Sequence, residues 1–302
     1  MVKTIDAFLA LRRAVGFQLK TEERLLRDFA RWAAGRGETH IRTPTAVEWA
    51  AATQTPWQRE RRLRTVASFA RHARAEDGRH EVSPIGVFGH RHVRPSPHIY
   101  SREEVQRLLG AASQLAPTWP LRPQVFATLF GLLAATGLRV SEALDLRVGD
   151  VTLDGLIIRR TKFNKTRLVP LHPTATAALD RYLDVRRRMS AGSDYVFLSP
   201  KGGRLPYGTV TKWFLRLSRD AGLRNGPGTK GPRLHDLRHT FAVRALEAAP
   251  MGASPVGPHV RALSTYLGHT HVADTCWYLL ATPQLMRGVA DACERFLEGA
   301  AS

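Results

Sequence analysis

Cysteine is nearly missing from this chain of 302 residues: Cys276 and Cys293 are the only two, and neither has the spacing of a metal knuckle or a disulfide framework. A reducing, cytoplasmic setting is the expectation that follows. Long apolar runs are also missing. The most apolar stretch, VFATLFGLLAATGL at 125–138, is well short of the about 20 residues needed to cross a bilayer and suits a buried helix. The first residues lack the apolar core of a signal peptide. No segment joins a basic face to a clean apolar face, as a membrane-surface role demands, so no membrane partner is expected. There is no phosphate-binding glycine loop of the Walker type, no evident two-metal carboxylate cluster, no internal repeat and no low-complexity tract.

Acidic residues are in short supply too, and what is abundant is positive charge. Lys and Arg number 45 against 26 Asp and Glu, a formal net charge of +19. Solubility alone does not call for so much, and the excess points to a polyanion, with nucleic acid the partner that composition favours. The excess is spread along the chain, with 18 basic against 10 acidic groups in residues 1–100 and 27 against 16 beyond. Both halves are therefore expected to face the polyanion, as in a clamp.

The length suits two modest domains. Residues 4–35 read as helix broken near Gly16, with Leu9, Leu11, Leu25, Phe29 and Trp32 available to a core. A short helix entered through Thr45 follows, and then a longer one from Trp57 to Ala75 with apolar positions at Leu63, Val66 and Ala70. Arg61, Arg64, Ser68 and Arg71 share the opposite face of that helix, where the three arginines could track a row of phosphates or simply form a solvated charged face. Residues 82–101, rich in Pro, Gly and His, have no sustained period. The division expected is a helical domain at 1–81, a linker at 82–100 and a mixed helix-and-strand domain at 101–302. In the last, a helix from Ser101 and one ending at Gly137 precede strand signals in GLIIRRT and RLVPL, which flank a KFNK turn; YVFLS reads as a third strand, and helices dominate from Tyr207. The fold class is thus mainly α with a small antiparallel β-sheet.

Chemistry concentrates in the second domain. Arg139 sits in TGLRVSEAL, at the junction where one helix ends at Gly137 and the next begins. RLHDLRHTFA places His235 and Arg238 three residues apart on one helical face, and LGH ends at His269, with Tyr278 nine residues further on. Lys162 and Lys165 bracket the hairpin turn between the first two motifs. Each piece alone has an ordinary structural reading: a helix-capping arginine, a turn lysine, a core tyrosine beside Trp277. In this order and spacing they resemble the tyrosine recombinase, or phage integrase, family over roughly residues 100–285.

The resemblance implies an N-terminal all-helical core-binding domain and a C-terminal α+β catalytic domain. Arg139 and Arg238 would hold the scissile phosphate, His235 and His269 complete its cradle, Lys162 act as general acid and Tyr278 attack, while Lys165 is a candidate DNA contact. Lys162 matches the family's lysine better than Lys165. The chemistry fits these residue types, because guanidinium forks suit the equatorial oxygens of a phosphorane. A phenol of pKa about 10 is ionised only about one part in a thousand at neutral pH, so it needs a cationic pocket and a proton acceptor. Which histidine does more is open at this point. The implied product is a 3′-phosphotyrosine that a second DNA 5′-hydroxyl reverses, a reaction with no call for ATP, metal or other cofactor.

The implied activity is site-specific recombination on double-stranded DNA, with a tilt towards a mobile element (integration, excision or transposition), by a homo-oligomer: a dimer on each site and a tetramer in the synaptic complex. Residues 284–299 could form a helix passed to a neighbouring protomer or one docked on its own domain. PMGASPVGPH at 250–259 departs from the family pattern and reads as an inserted loop. Glu142 and Asp236 read as residues that orient the arginines and histidines. The rival functions are a type IB topoisomerase that relaxes one duplex and, from another class, a zinc hydrolase in which HDLRH supplies two histidines and His269 or His271 a third.

Overall fold

The computed structural model describes residues 1–302 apart from 90–95, 160–165, 190–191, 227, 229, 249–255 and 279–302. The chain divides into two compact units, Met1–Pro95 and Ser96–Ser302.

The first unit consists of α1 (Val2–Ala14), α2 (Lys20–Ala34), α3 (Thr43–Ala51) and α4 (Pro56–Glu76). Its core gathers Ile5, Phe8 and Leu9 of α1, Leu26 and Phe29 of α2, Trp49 of α3 and Leu63, Val66, Phe69 and Ala70 of α4. Leu9, Leu25 and Phe29 are buried as the periodicity predicts, whereas Leu11 is 57% exposed, because it lies two positions past Leu9 and so turns to the opposite face of α1. The Thr55 side chain caps α4 by accepting from the Gln58 N–H. Val82 and Phe88 pack on this core. Segments 40–43 and 77–81 are tied together, with the His80 Nδ1 accepting from the Ile41 N–H at 3.1 Å and the His40 Nε2 lying 3.2 Å from Asp77. The lone pair of His80 Nδ1 is thereby used, its Nε2 carries the proton, and the cluster of His40, Asp77 and His80 serves as a latch between two loops.

The second unit begins with α5 (Arg102–Ser113), where Ser101 and Glu104 form a reciprocal capping box. The apolar run 125–138 becomes α6 (Arg122–Thr136), with Val125, Phe126, Leu129, Phe130 and Leu133 buried at the centre of the larger core. After α7 (Val140–Asp145) comes a three-stranded antiparallel sheet of β1 (Val151–Thr152), β2 (Gly155–Ile158) and β3 (Arg167–Val169). Then follow α8 (Pro173–Met189), α9 (Tyr207–Asp220), α10 (Asp236–Glu247), α11 (Val256–Leu267) and α12 (Ala273–Cys276).

The sheet corrects one expectation. YVFLS is not its third strand: Tyr195 and Leu198 form only isolated bridges, to Arg147 and Arg204, and β1 takes the edge instead by pairing Val151 with Leu156. The PMGASPVGPH segment is corrected in part, since its last four residues, 256–259, begin α11, where Pro258 in the first turn gives up no helical hydrogen bond. Residues 249–255 and the expected helix at 284–299 lie outside the described residues. No described helix is long and apolar enough to cross a membrane.

Gly137 closes α6 in the left-handed conformation, φ +62°, and a Cβ there would stand 2.6 Å from the Phe241 ring. Gly137→Ala is expected to lower unfolding free energy by about 2–4 kcal/mol, the sum of left-handed strain and overpacking. A urea midpoint unchanged from wild type would contradict this close packing.

Candidate active site

Three helix ends build the site. α6 is capped by Gly137, α11 stops at Leu267, and α10 starts just after His235. Arg238, in the first turn of α10, is only 2% exposed; its Nη1 donates to the Gly137 carbonyl and its Nη2 to the Leu267 carbonyl, both at 2.7 Å. Each acceptor lies at the C-terminal end of a helix, where unsatisfied carbonyls carry partial negative charge. Among the described residues no carboxylate pairs with Arg238. Desolvation and the charge of Arg139 lower its pKa to about 10, a shift that the nearby Tyr278 phenol and Glu142 oppose; at neutral pH it stays charged.

Arg139 precedes α7. Its Nη1 donates to Glu142 Oε1 at 2.8 Å, its backbone N–H to Glu142 Oε2 at 2.9 Å, and its Nη2 to the Gly268 carbonyl at 3.1 Å. The side chain is 33% exposed, so this guanidinium, unlike that of Arg238, also meets solvent. Glu142 is shared with Arg167 of β3, whose Nη2 donates to Oε2 at 2.8 Å and Nη1 to Oε1 at 3.1 Å. Burial alone would raise the Glu142 pKa, but the hydrogen bonds and charges of Arg167 and Arg139 outweigh it and lower the pKa.

Gly268, φ +66°, turns the chain out of α11, and the next residue, His269, has its Nδ1 2.7 Å from the Thr275 hydroxyl. Tyr278, 2% exposed, stacks on His269 with ring centroids 6.0 Å apart and meets the ring of His239 at 5.3 Å. His239 in turn meets His235 edge-on at 4.7 Å. Burial, and after it the charges of Arg238 and Arg139, push His269 down to about 4. His235 keeps solvent-exposed surface, yet desolvation by the surrounding protein, followed by the Arg238 charge, pushes it to about 4 as well. Both imidazoles are therefore neutral at pH 7 and able to accept a proton.

The structure thus brings Arg139, His235, Arg238, His269 and Tyr278 into one cluster. Lys162 and Lys165 lie outside the described residues. Asp236 does not orient the site residues: buried, it accepts hydrogen bonds from the Arg233 backbone and guanidinium. In the first unit Arg61, Arg64 and Arg71 are exposed on α4, with Arg61 over the Trp57 ring and 3.9 Å from Glu22, and Arg64 3.4 Å from Glu60. Among the described residues, the histidines of HDLRH do not come together with His269 or His271 as a group of three potential metal ligands. Arg167 and Thr275 carry no spacing signal in the sequence, whereas His239 shows there as the second histidine of HDLRH, four residues after His235. Arg167 is separated from Glu142 by 25 positions, and only the fold joins them.

Residues 99–284 match the phage integrase family. The chain belongs to that family, the tyrosine recombinases, which are enzymes of DNA strand exchange. It is 41% identical to the putative integrase/recombinase y4rB of Sinorhizobium fredii across 97% of this chain and 96% of that protein. It is 28% identical to the tyrosine recombinase XerD of Listeria monocytogenes across 93% and 94% of the two chains. In fold this recombinase is similar to the Tn1549 transposon integrase solved with transposon right-end DNA, at a TM-score of 0.66, 17% identity and coverage of 97% and 98%.

The depressed histidines have a consequence for acid stability. Between the unfolded value of about 6.5 and the folded value of about 4, the unfolded chain binds protons that the folded site refuses, so stability falls as pH falls through that window. Unfolding in urea at pH 7 and pH 5 is expected to show this loss, smaller in a His235→Gln, His269→Gln double variant. An equal loss in both proteins would contradict neutral, shielded imidazoles.

Proposed function

We propose that this chain is a site-specific recombinase of double-stranded DNA that cuts and rejoins strands through a 3′-phosphotyrosine at Tyr278. The observation that carries the reading is the pair Arg139 and Arg238, braced by helix-end carbonyls beside a buried tyrosine. Two fixed guanidiniums next to a hydroxyl nucleophile form a cradle for a phosphodiester whose charge grows in the transition state.

In the forward step the Tyr278 Oη attacks phosphorus, the phenolic proton passes to a neutral imidazole, and the bond to the deoxyribose 5′-oxygen breaks. His235, held neutral, takes the proton, and His269, fixed through Thr275, donates to a phosphate oxygen. Lys162 protonates the departing 5′-oxygen. Rejoining is the same sequence reversed by a 5′-hydroxyl of the partner strand, and the phosphodiester energy is kept in the protein linkage throughout.

The all-helical first domain, 1–81, binds DNA with Arg61, Arg64 and Arg71 on α4, the linker spans 82–100, and Lys165 adds a contact from the catalytic domain. The net charge of +19 supports a wrapped duplex. The enzyme acts in the cytoplasm on DNA of a mobile element, as a dimer on each site and a tetramer in synapsis. The similarity to y4rB and to a transposon integrase supports that setting.

A library of nicked duplexes of randomised sequence, incubated with the protein and resolved on a denaturing gel, tests the reading. We expect a protein-linked strand with a free 5′-hydroxyl on its departing partner. Tyr278→Phe should bind DNA and form no adduct; an adduct retained by that variant would overturn the assignment.

A further inference from the structure

We infer that Arg167 is a positioning residue for strand cleavage: through Glu142 it holds Arg139 in place and keeps that guanidinium from being neutralised by its own carboxylate partner. The inference rests on the reading of Arg139 as a phosphate-binding residue.

Strand register places Arg167 where it is. β3 pairs with β2 as Leu156 with Val169, Ile157 with Leu168 and Ile158 with Arg167. Side chains alternate along a strand, so Arg167 shares the face of Ile158, Leu156 and Val169, all three of them buried, while Leu168 turns outward at 46% exposure. An arginine is thereby committed to the core side of the sheet, with a side chain 11% exposed. A buried guanidinium needs acceptors, and it finds both oxygens of Glu142 at 2.8 and 3.1 Å and, through Nε, the Tyr266 carbonyl at 2.8 Å. It also lies flat against Gly268, where a Cβ would come within 2.6 Å of its Nη1.

Glu142 is consequently held at four points. Oε1 faces Nη1 of Arg139 and Nη1 of Arg167; Oε2 faces the Arg139 backbone N–H and Nη2 of Arg167. Two guanidiniums share one carboxylate, and the set keeps a net positive charge. Among the described residues Arg139 spends Nη1 on Glu142 and Nη2 on Gly268, and its other guanidinium N–H groups have no partner there and are available to a ligand. Without Arg167 the carboxylate is released to turn both oxygens onto the Arg139 fork, and a bidentate pair would take the donors and the charge that a phosphate needs. Arg167 is therefore outside the reacting atoms and acts through Glu142.

The probe is the nicked duplex on which the wild-type chain forms its covalent adduct. Single-turnover cleavage is measured against protein concentration for wild type, Arg167→Lys, Arg139→Lys and the double variant. Arg167→Lys keeps the charge and loses the fork. It is expected to slow cleavage at saturation on the order of 10²-fold, as misplacement of a catalytic group by about 1 Å does, while the half-saturating protein concentration stays within about threefold of wild type. In the Arg139→Lys background, replacing Arg167 should cost no more than about twofold further, because both changes damage one unit. A residue that only supports the fold would multiply its loss onto that of Arg139→Lys. Cleavage at the wild-type rate by Arg167→Lys, or multiplying losses in the double variant, would overturn the inference. If Arg167→Lys does not fold, the near-isosteric Glu142→Gln breaks the same tether without leaving a carboxylate to neutralise Arg139, and is expected to slow cleavage at saturation by less than is expected of Arg167→Lys, without additivity with Arg139→Lys; full activity in that variant would equally overturn it. A wild-type chain that forms no adduct on any duplex defeats the functional reading instead.

Discussion

A guanidinium that is 2% exposed and has no carboxylate partner among the described residues is costly to bury, and the catalytic unit is organised around meeting that cost at Arg238. Its two acceptors are the carbonyl of Gly137, which caps α6, and that of Leu267, the last residue of α11, so two helix dipoles end on one cation. This arrangement dictates where those helices stop. Gly137 and Gly268 occupy the left-handed positions that let the chain leave each helix while the carbonyls of Gly137 itself and of Leu267, just before Gly268, stay aimed at the arginine. Carbonyls balance the charge only in part, and an anion entering the site would complete the balance.

The remaining features follow from that cation. Burial, and after it two positive charges, keep His235 and His269 neutral at pH 7, which suits them to accept or share a proton. Tyr278 is packed on His269 and His239 inside its own domain, with the phenol close enough to Arg238 to influence its ionisation. Arg139 is the more exposed partner, braced by a carboxylate that Arg167 shares. A deep cation fixed by two carbonyls and a shallower one fixed by one carbonyl and a side chain give a cradle with one rigid wall and one that Glu142 can retune.

Much of this was legible in the sequence, for physical reasons that can be named. A glycine ending an apolar run and an arginine before the next helix marked the Gly137 to Arg139 junction, and helical spacing put Arg238 beside His235. The apolar stripe of α4 was readable because Leu63, Val66 and Ala70 repeat at three and four. Short-range pattern failed where pairing depends on distant chain. YVFLS has strand composition but finds only single bridging partners, while two residues at Val151–Thr152, too few to show a period, become the edge strand. Asp236 resembled a site residue by position, yet Arg233 occupies it. Arg167 gave no signal at all, since its meaning comes from the β2 to β3 register and from a carboxylate 25 positions away.

The central claim is that Arg139 and Arg238 form a preassembled cradle for the phosphate that Tyr278 attacks. A crystal structure of the wild-type protein on a gapped duplex bridged by orthovanadate, which mimics the five-coordinate phosphorus, tests it most directly. The account predicts a trigonal-bipyramidal vanadate with the Tyr278 oxygen at one apex, both guanidiniums on its equatorial oxygens, and Arg238 still bound to the carbonyls of Gly137 and Leu267. Vanadate bound away from Tyr278, or held with neither arginine in contact, would contradict it.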